Sequence, residues 1–137
     1  MNELLSTFAM PQTGSYIPAP TRARDVLIVE DNADQARTLC VFLGTKGHRL
    51  HVAPNGAAAL EAARRMRPDV VLLDLGLPGL DGIEVARRLR EEHGASLRII
   101  AITAYGSESV RRQTEEAGCE LHLVKPADPR FIESLLG

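Results

Sequence analysis

From Asp25 onward, short apolar runs alternate with stretches whose apolar residues recur every three or four positions. The runs are residues 26–29, 50–53, 70–73, 99–102 and 121–124. Unbroken four-residue runs such as Val70-Val71-Leu72-Leu73 predict strands buried on both faces, as in the interior of a parallel sheet. Between them, Ala36, Leu39, Cys40 and Leu43 fall on one side of a helix over 33–46, with Gly47 just past its end. Leu60, Ala63 and Met66 give an Ala-rich second helix over 56–66, stopped by Pro68. Ile83, Ala86 and Leu89 predict the buried side of a third helix, and Arg87, Arg88, Arg90 and Glu91 its solvated side. A fourth, over 107–117, has a thin apolar face of Val110, Thr114 and Ala117. Asp128-Pro129 reads as a cap and first turn of a fifth helix that buries Phe131, Ile132 and Leu135. Five strands alternating with five helices predict an α/β fold: right-handed crossovers on a parallel sheet, doubly wound.

Composition narrows this picture. The 137 residues suit one domain over 25–137 and a tail over 1–24. The tail is rich in Pro, Gly, Ser and Thr and is expected to be flexible or extended. Leu4, Leu5 and Phe8 offer it one helical turn for docking, the lesser reading. No apolar run approaches the length of a membrane span, and the first ten residues lack the basic start of a secretory signal. A formal charge of −2 argues against direct nucleic-acid binding. Cys40 and Cys119 have no metal-binding spacing and read as buried free thiols, in keeping with a cytoplasmic location. Phosphate-cradling glycine loops of the nucleotide-binding kinds are absent.

Chemistry gathers at the strand ends. In an open parallel sheet every strand's carboxyl end meets the same edge, where such folds bind ligands. Those ends carry Glu30-Asp31, Asp74, Thr103 and Lys125. Clustered carboxylates repel one another and resist ionisation unless a cation joins them. Hard oxygen donors with room for water suit Mg²⁺. Lys125 is placed to neutralise a phosphoryl group and Thr103 to donate to one of its oxygens. Asp74 remains as the nucleophile, since carboxylates form aspartyl-phosphates. Gly76, Pro78, Gly79 and Gly82 break the chain after it into a tight loop.

These motifs resemble the response-regulator receiver domains of two-component signalling, the CheY-like family. The likeness rests on Glu30-Asp31, on LLDLGLPGLDG around Asp74, on AITAY around Thr103 and on LVKP around Lys125. It covers residues 25–136, and it is specific because four separated motifs occur in fixed order. The resemblance implies strand order 2-1-3-4-5 and phosphoryl acceptance by Asp74 from a histidine kinase or histidine phosphotransfer protein. It further implies Mg²⁺ held by Asp31, Asp74 and the Gly76 carbonyl, with Glu30 acting through water, and a switch hydroxyl on Thr103. A cis Lys125–Pro126 bond and a response on the face of the fourth helix, fifth strand and fifth helix follow from the same likeness. That face would serve a partner or a second copy in a homodimer.

Two positions depart from the pattern or stand beside it. His122, three before Lys125, occupies a place where the family often carries Tyr or Phe. It reads equally as an exposed strand histidine or as a smaller switch ring. Tyr105 is expected near the pocket mouth. The wording of these motifs is nearest to receivers attached to sensor kinases or used alone. A haloacid-dehalogenase-like phosphatase is the enzymatic alternative, but it usually carries a second acid two positions on, where Gly76 stands. A receiver-shaped module working without phosphate is the other, and five retained pocket residues argue against it.

Overall fold

The computed structural model describes residues 23–77 and 79–137, so the expectations for most of the tail and for Pro78 lie outside the described residues. Its centre is β3 (Val70–Asp74), every residue of which is buried. β1 (Asp25–Val29) and β4 (Arg98–Thr103) flank it, with β2 (Arg49–Ala53) and β5 (Leu121–Val124) at the edges. The order is 2-1-3-4-5 and every pairing is parallel. The helices are α1 (Ala33–Thr45), α2 (Gly56–Met66), α3 (Gly82–His93), α4 (Glu108–Glu116) and α5 (Pro129–Leu136).

Successive strand residues point to opposite faces, and the core divides accordingly. Leu27, Val29, Val71 and Leu73 join Leu60, Val85, Leu89 and Cys119 on the side of α2, α3 and α4. Val26, Ile28, Val70 and Leu72 join Leu43, Ile132 and Leu136 on the side of α1 and α5. All five helices start on a side-chain cap: Asn32, Asn55, Asp81, Ser107 and Asp128 each accept from a backbone N–H in the first turn. Such caps contribute typically ~1 kcal/mol apiece and fix where each helix leaves the rim.

Several packing details differ from the sequence expectation. Ile132 is buried as expected, but Phe131 is 50% exposed and Leu135 half-buried, and Leu136 is the second fully buried residue of α5. Four-residue spacing keeps Ile132 and Leu136 over the sheet and turns Phe131 aside. In α3, Val85 is fully buried while Ile83 is only half-buried. Arg90 is not on a solvated side: its guanidinium donates to the carbonyls of Gly94 at 2.5 Å, Leu97 at 2.6 Å and Gly118 at 2.6 Å. Cys119 is a buried free thiol whose pKa burial raises to about 11, whereas Cys40 is half-buried. Arg24, grouped by composition with the tail, is held by the fold. Its N–H donates to His48 Nδ1 at 3.0 Å, and its guanidinium to the carbonyls of Leu136 at 2.9 Å and Gly137 at 3.3 Å.

Candidate functional site

The parallel order brings the ends of β1, β3, β4 and β5 to one rim. Asp74 is the last residue of β3, and its register partner in β4 is Ile102, one short of Thr103. The Asp74 side chain is buried, with Oδ1 accepting from the Gly76 N–H at 2.8 Å and Oδ2 from Lys125 Nζ at 3.0 Å. Glu30, just beyond β1, is also buried; its Oε2 accepts from the Asn32 N–H at 3.1 Å and its Oε1 from Lys125 Nζ at 3.3 Å. Asp31 is exposed beside them. One carboxylate oxygen from each of Glu30, Asp31 and Asp74 lies within 4.8 Å of the others.

Lys125 is the counter-charge. Burial opposes its ammonium, but the hydrogen bonds and charges of Asp74 and Glu30 outweigh that and hold its pKa above the ordinary value of 10.5. Burial pushes the Glu30 carboxyl upward, and the neighbouring Asp74 charge adds to this. The Asn32 N–H and Lys125 act in the opposite sense. A third acceptor of Lys125, Gln35 Oε1 at 3.0 Å, had no signature in the sequence beyond being a polar residue in the first turn of α1. Lys125 also lines a cavity of about 500 Å³ between the starts of α1 and α5, with Gln35, Leu39, Pro126 and Ile132 on its walls.

Thr103 ends β4 and is buried. Its Oγ1 accepts from the Tyr105 N–H at 3.2 Å, and its carbonyl from the Lys125 N–H at 2.7 Å. The Lys125–Pro126 peptide is cis. Tyr105 is 77% exposed, so its ring stands at the outer margin. His122 does not reach the rim. It lies in a smaller cleft between α4 and β5 with Arg111, Thr114, Glu115 and Cys119, and its Nε2 is buried with no hydrogen-bond partner among the described residues. Burial, and then the Arg111 charge, hold its pKa below the ordinary histidine value. The structure therefore gathers Glu30, Asp31, Asp74, Gly76, Thr103 and Lys125 at one place and leaves His122 apart from them, between α4 and β5.

Three close carboxylates form a donor set suited to a hard divalent cation, and the short acid side chains leave room for water or phosphate oxygens. A doubly wound sheet with a buried aspartate, a lysine bound to it and an acidic pair at this edge sets a cation-ready acidic site where such sheets bind their ligands. The chain belongs to the response regulator receiver domain family, whose pattern matches residues 26–136. It is similar to the transcriptional regulatory protein ResD of Bacillus subtilis, with 39% identity over 82% of this chain and 46% of ResD. It thus spans about half the length of that relative. The polar-differentiation response regulator DivK of Brucella anthropi is 33% identical over 82% of this chain and 93% of its own. Among solved structures, a Burkholderia pseudomallei response regulator with a phosphorylated aspartic acid superposes with a TM-score of 0.77. That structure is 27% identical and covers 83% of this chain and 66% of its own. The chain is accordingly a phosphorelay receiver, and the phosphatase alternative is not favoured. No helix among the described residues is long and apolar enough to cross a membrane.

Proposed function

We propose that Asp74 is the phosphoacceptor and that a histidine kinase or histidine phosphotransfer protein is the donor. The observation that carries this reading is Lys125 Nζ, 3.0 Å from Asp74 and 3.3 Å from Glu30. One ammonium is shared between two buried acids. In the transfer, an Asp74 carboxylate oxygen attacks phosphorus and forms the acyl-phosphate bond. The phosphorus–nitrogen bond to the donor imidazole breaks, and its electron pair stays on that nitrogen. Lys125 holds Asp74 in place beforehand and afterwards lies beside the new phosphoryl oxygens. Its charge is assured there, because the same acids that hold it raise its pKa.

Asp31, Asp74 and the Gly76 carbonyl would hold Mg²⁺, with Glu30 acting through water. When bound, Mg²⁺ supplies positive charge that separates the carboxylates from the phosphoryl oxygens. The Thr103 oxygen accepts from Tyr105, which leaves its O–H free to donate to a phosphoryl oxygen. That bond draws the Thr103–Tyr105 loop inward and changes the face of α4, β5 and α5, which a partner or second copy reads. The domain acts as a signalling acceptor whose own chemistry is limited to gaining and losing phosphate, in the cytoplasm.

Incubation with acetyl phosphate and Mg²⁺, followed by intact mass and peptide mapping, tests the assignment. One added phosphoryl group on Asp74 is expected, absent in Asp74→Asn and in chelator, and strongly reduced in Asp31→Asn. A label on another carboxylate, or labelling indifferent to Mg²⁺, overturns it.

A further inference from the structure

The two ends of α4 are held very differently. At its start, Ala104, Tyr105, Gly106, Ser107, Glu108 and Ser109 are all exposed. Gly106 lies against Val124, itself 48% exposed. Thr114 is the only buried residue of the helix proper. At its far end, Ala117 and Cys119 are buried, and the Cys119 N–H donates back to the Thr114 carbonyl at 3.0 Å. The Glu120 N–H donates to Ile99 of β4 at 2.8 Å.

Between these lies Gly118, with φ at +101°, whose carbonyl accepts from Arg90 at 2.6 Å. A Cβ on Gly118 would approach Arg90 Nε to 2.7 Å, so the turn and the guanidinium are in direct contact. The same guanidinium holds Gly94 and Leu97, in the connection from α3 to β4. Arg90 thus ties the end of α4 to the connection that leads into β4, at the end of the sheet opposite Asp74.

From this asymmetry we propose that Arg90 is a positioning residue for the signalling response, fixing the pivot about which α4 turns. A displacement of the Thr103–Tyr105 loop acts on the exposed start of the helix, a full helix length from Gly118. With the far end fixed, that displacement becomes a rotation of α4 across β5. With Gly118 released, the helix slides as a whole and the cleft holding His122 loses its defined shape. The role is mechanical and does not involve contact between Arg90 and the phosphoryl group.

Amide hydrogen exchange on the whole chain tests this in two arms. In the unliganded protein, residues 117–120 should exchange more slowly than 105–110. Arg90→Met, which keeps the alkyl stem but not the donors, should speed 117–120 by roughly tenfold or more, the size expected for a lost charged hydrogen bond. Arg90→Lys, which restores one donor, should recover part of that protection. The second arm adds Mg²⁺ and beryllofluoride and rests on the reading of Asp74 as acceptor. Wild type should change over 104–112 and stay fixed over 117–120, whereas Arg90→Met should spread a weaker change over both. Labelling of Asp74 by acetyl phosphate should be equal in wild type and variant. Equal exchange of 117–120 in wild type and Arg90→Met overturns the pivot, whatever beryllofluoride does. So does an unaltered 104–112 response in Arg90→Met. Failure of wild type to bind beryllofluoride overturns the Asp74 reading alone, and the first arm still decides the pivot.

Discussion

His122 shows how much one side chain's surroundings can decide. Its Nε2 is buried with no acceptor among the described residues, and the charged and titratable groups lining its cleft are Arg111, Glu115, Cys119 and Glu120. A proton on that ring would be buried beside a guanidinium. The folded protein therefore binds it less readily than the unfolded chain, whose histidine keeps the ordinary value of 6.5. Stability is full above that value and falls as the pH drops through it toward the lower folded value. His122→Phe should remove this acid-side slope. Urea unfolding at about pH 7.5 and about pH 5.5 checks it: the wild-type midpoint should drop between the two more than the variant's. Among the rim residues, Asp74, Thr103 and Lys125 were legible because strand ends are legible; each closes an apolar run. Gln35 and Arg90 were not. Each acts through the reach of a long polar side chain, and periodicity assigns such residues to solvent.

At the scale of elements, period and punctuation located all ten, with ends shifted by a residue or so. What they could not give was the exact rotation of a helix about its axis, as Phe131 in α5 and Ile83 in α3 demonstrate. An eight-residue helix offers too few apolar positions to define its buried side. Nor could they show how closely the loop after Asp74 folds back. Gly82, the first residue of α3, sits so near Leu75 that a Cβ would lie 2.8 Å from the Leu75 Cα. Backbone cannot yield as a flexible side chain does. Gly82→Ala should therefore destabilise the fold by about 1–3 kcal/mol, the usual range for overpacking. Urea denaturation at constant slope measures this. The same variant should slow phosphorylation of Asp74, because the Leu75–Gly76 backbone that supports its carboxylate must shift.

For the molecule as a whole, the sheet separates two duties. Chemistry occupies one edge, and at the other, arginines fasten the ends of helices to the sheet. Arg98 donates to the Leu135 carbonyl at 2.6 Å and pairs with Glu120 at 2.9 Å, holding the end of α5 as Arg90 holds the end of α4. The two-faced core and strand order were readable from the alternation of runs and helices. The arginine fastenings were not, since the bonds that reach the helix ends, Arg90 to Gly118 and Arg98 to Leu135, join residues far apart in sequence.

Arg24 completes that row, and it has a consequence for protein engineering. Its guanidinium spans from the start of β1 to the last carbonyls of α5, so the domain's entry and exit lie within one side chain's reach. A body whose two ends emerge side by side can be spliced into a surface loop of an unrelated host without prying that loop apart. Residues 23–137 inserted in this way should leave host and guest each with its own cooperative melting transition. Pulling on the two junctions, as in an optical trap, would load the Arg24 clasp first and α5 directly after it. Arg24→Ala should lower the opening force while leaving acetyl phosphate labelling of Asp74 intact.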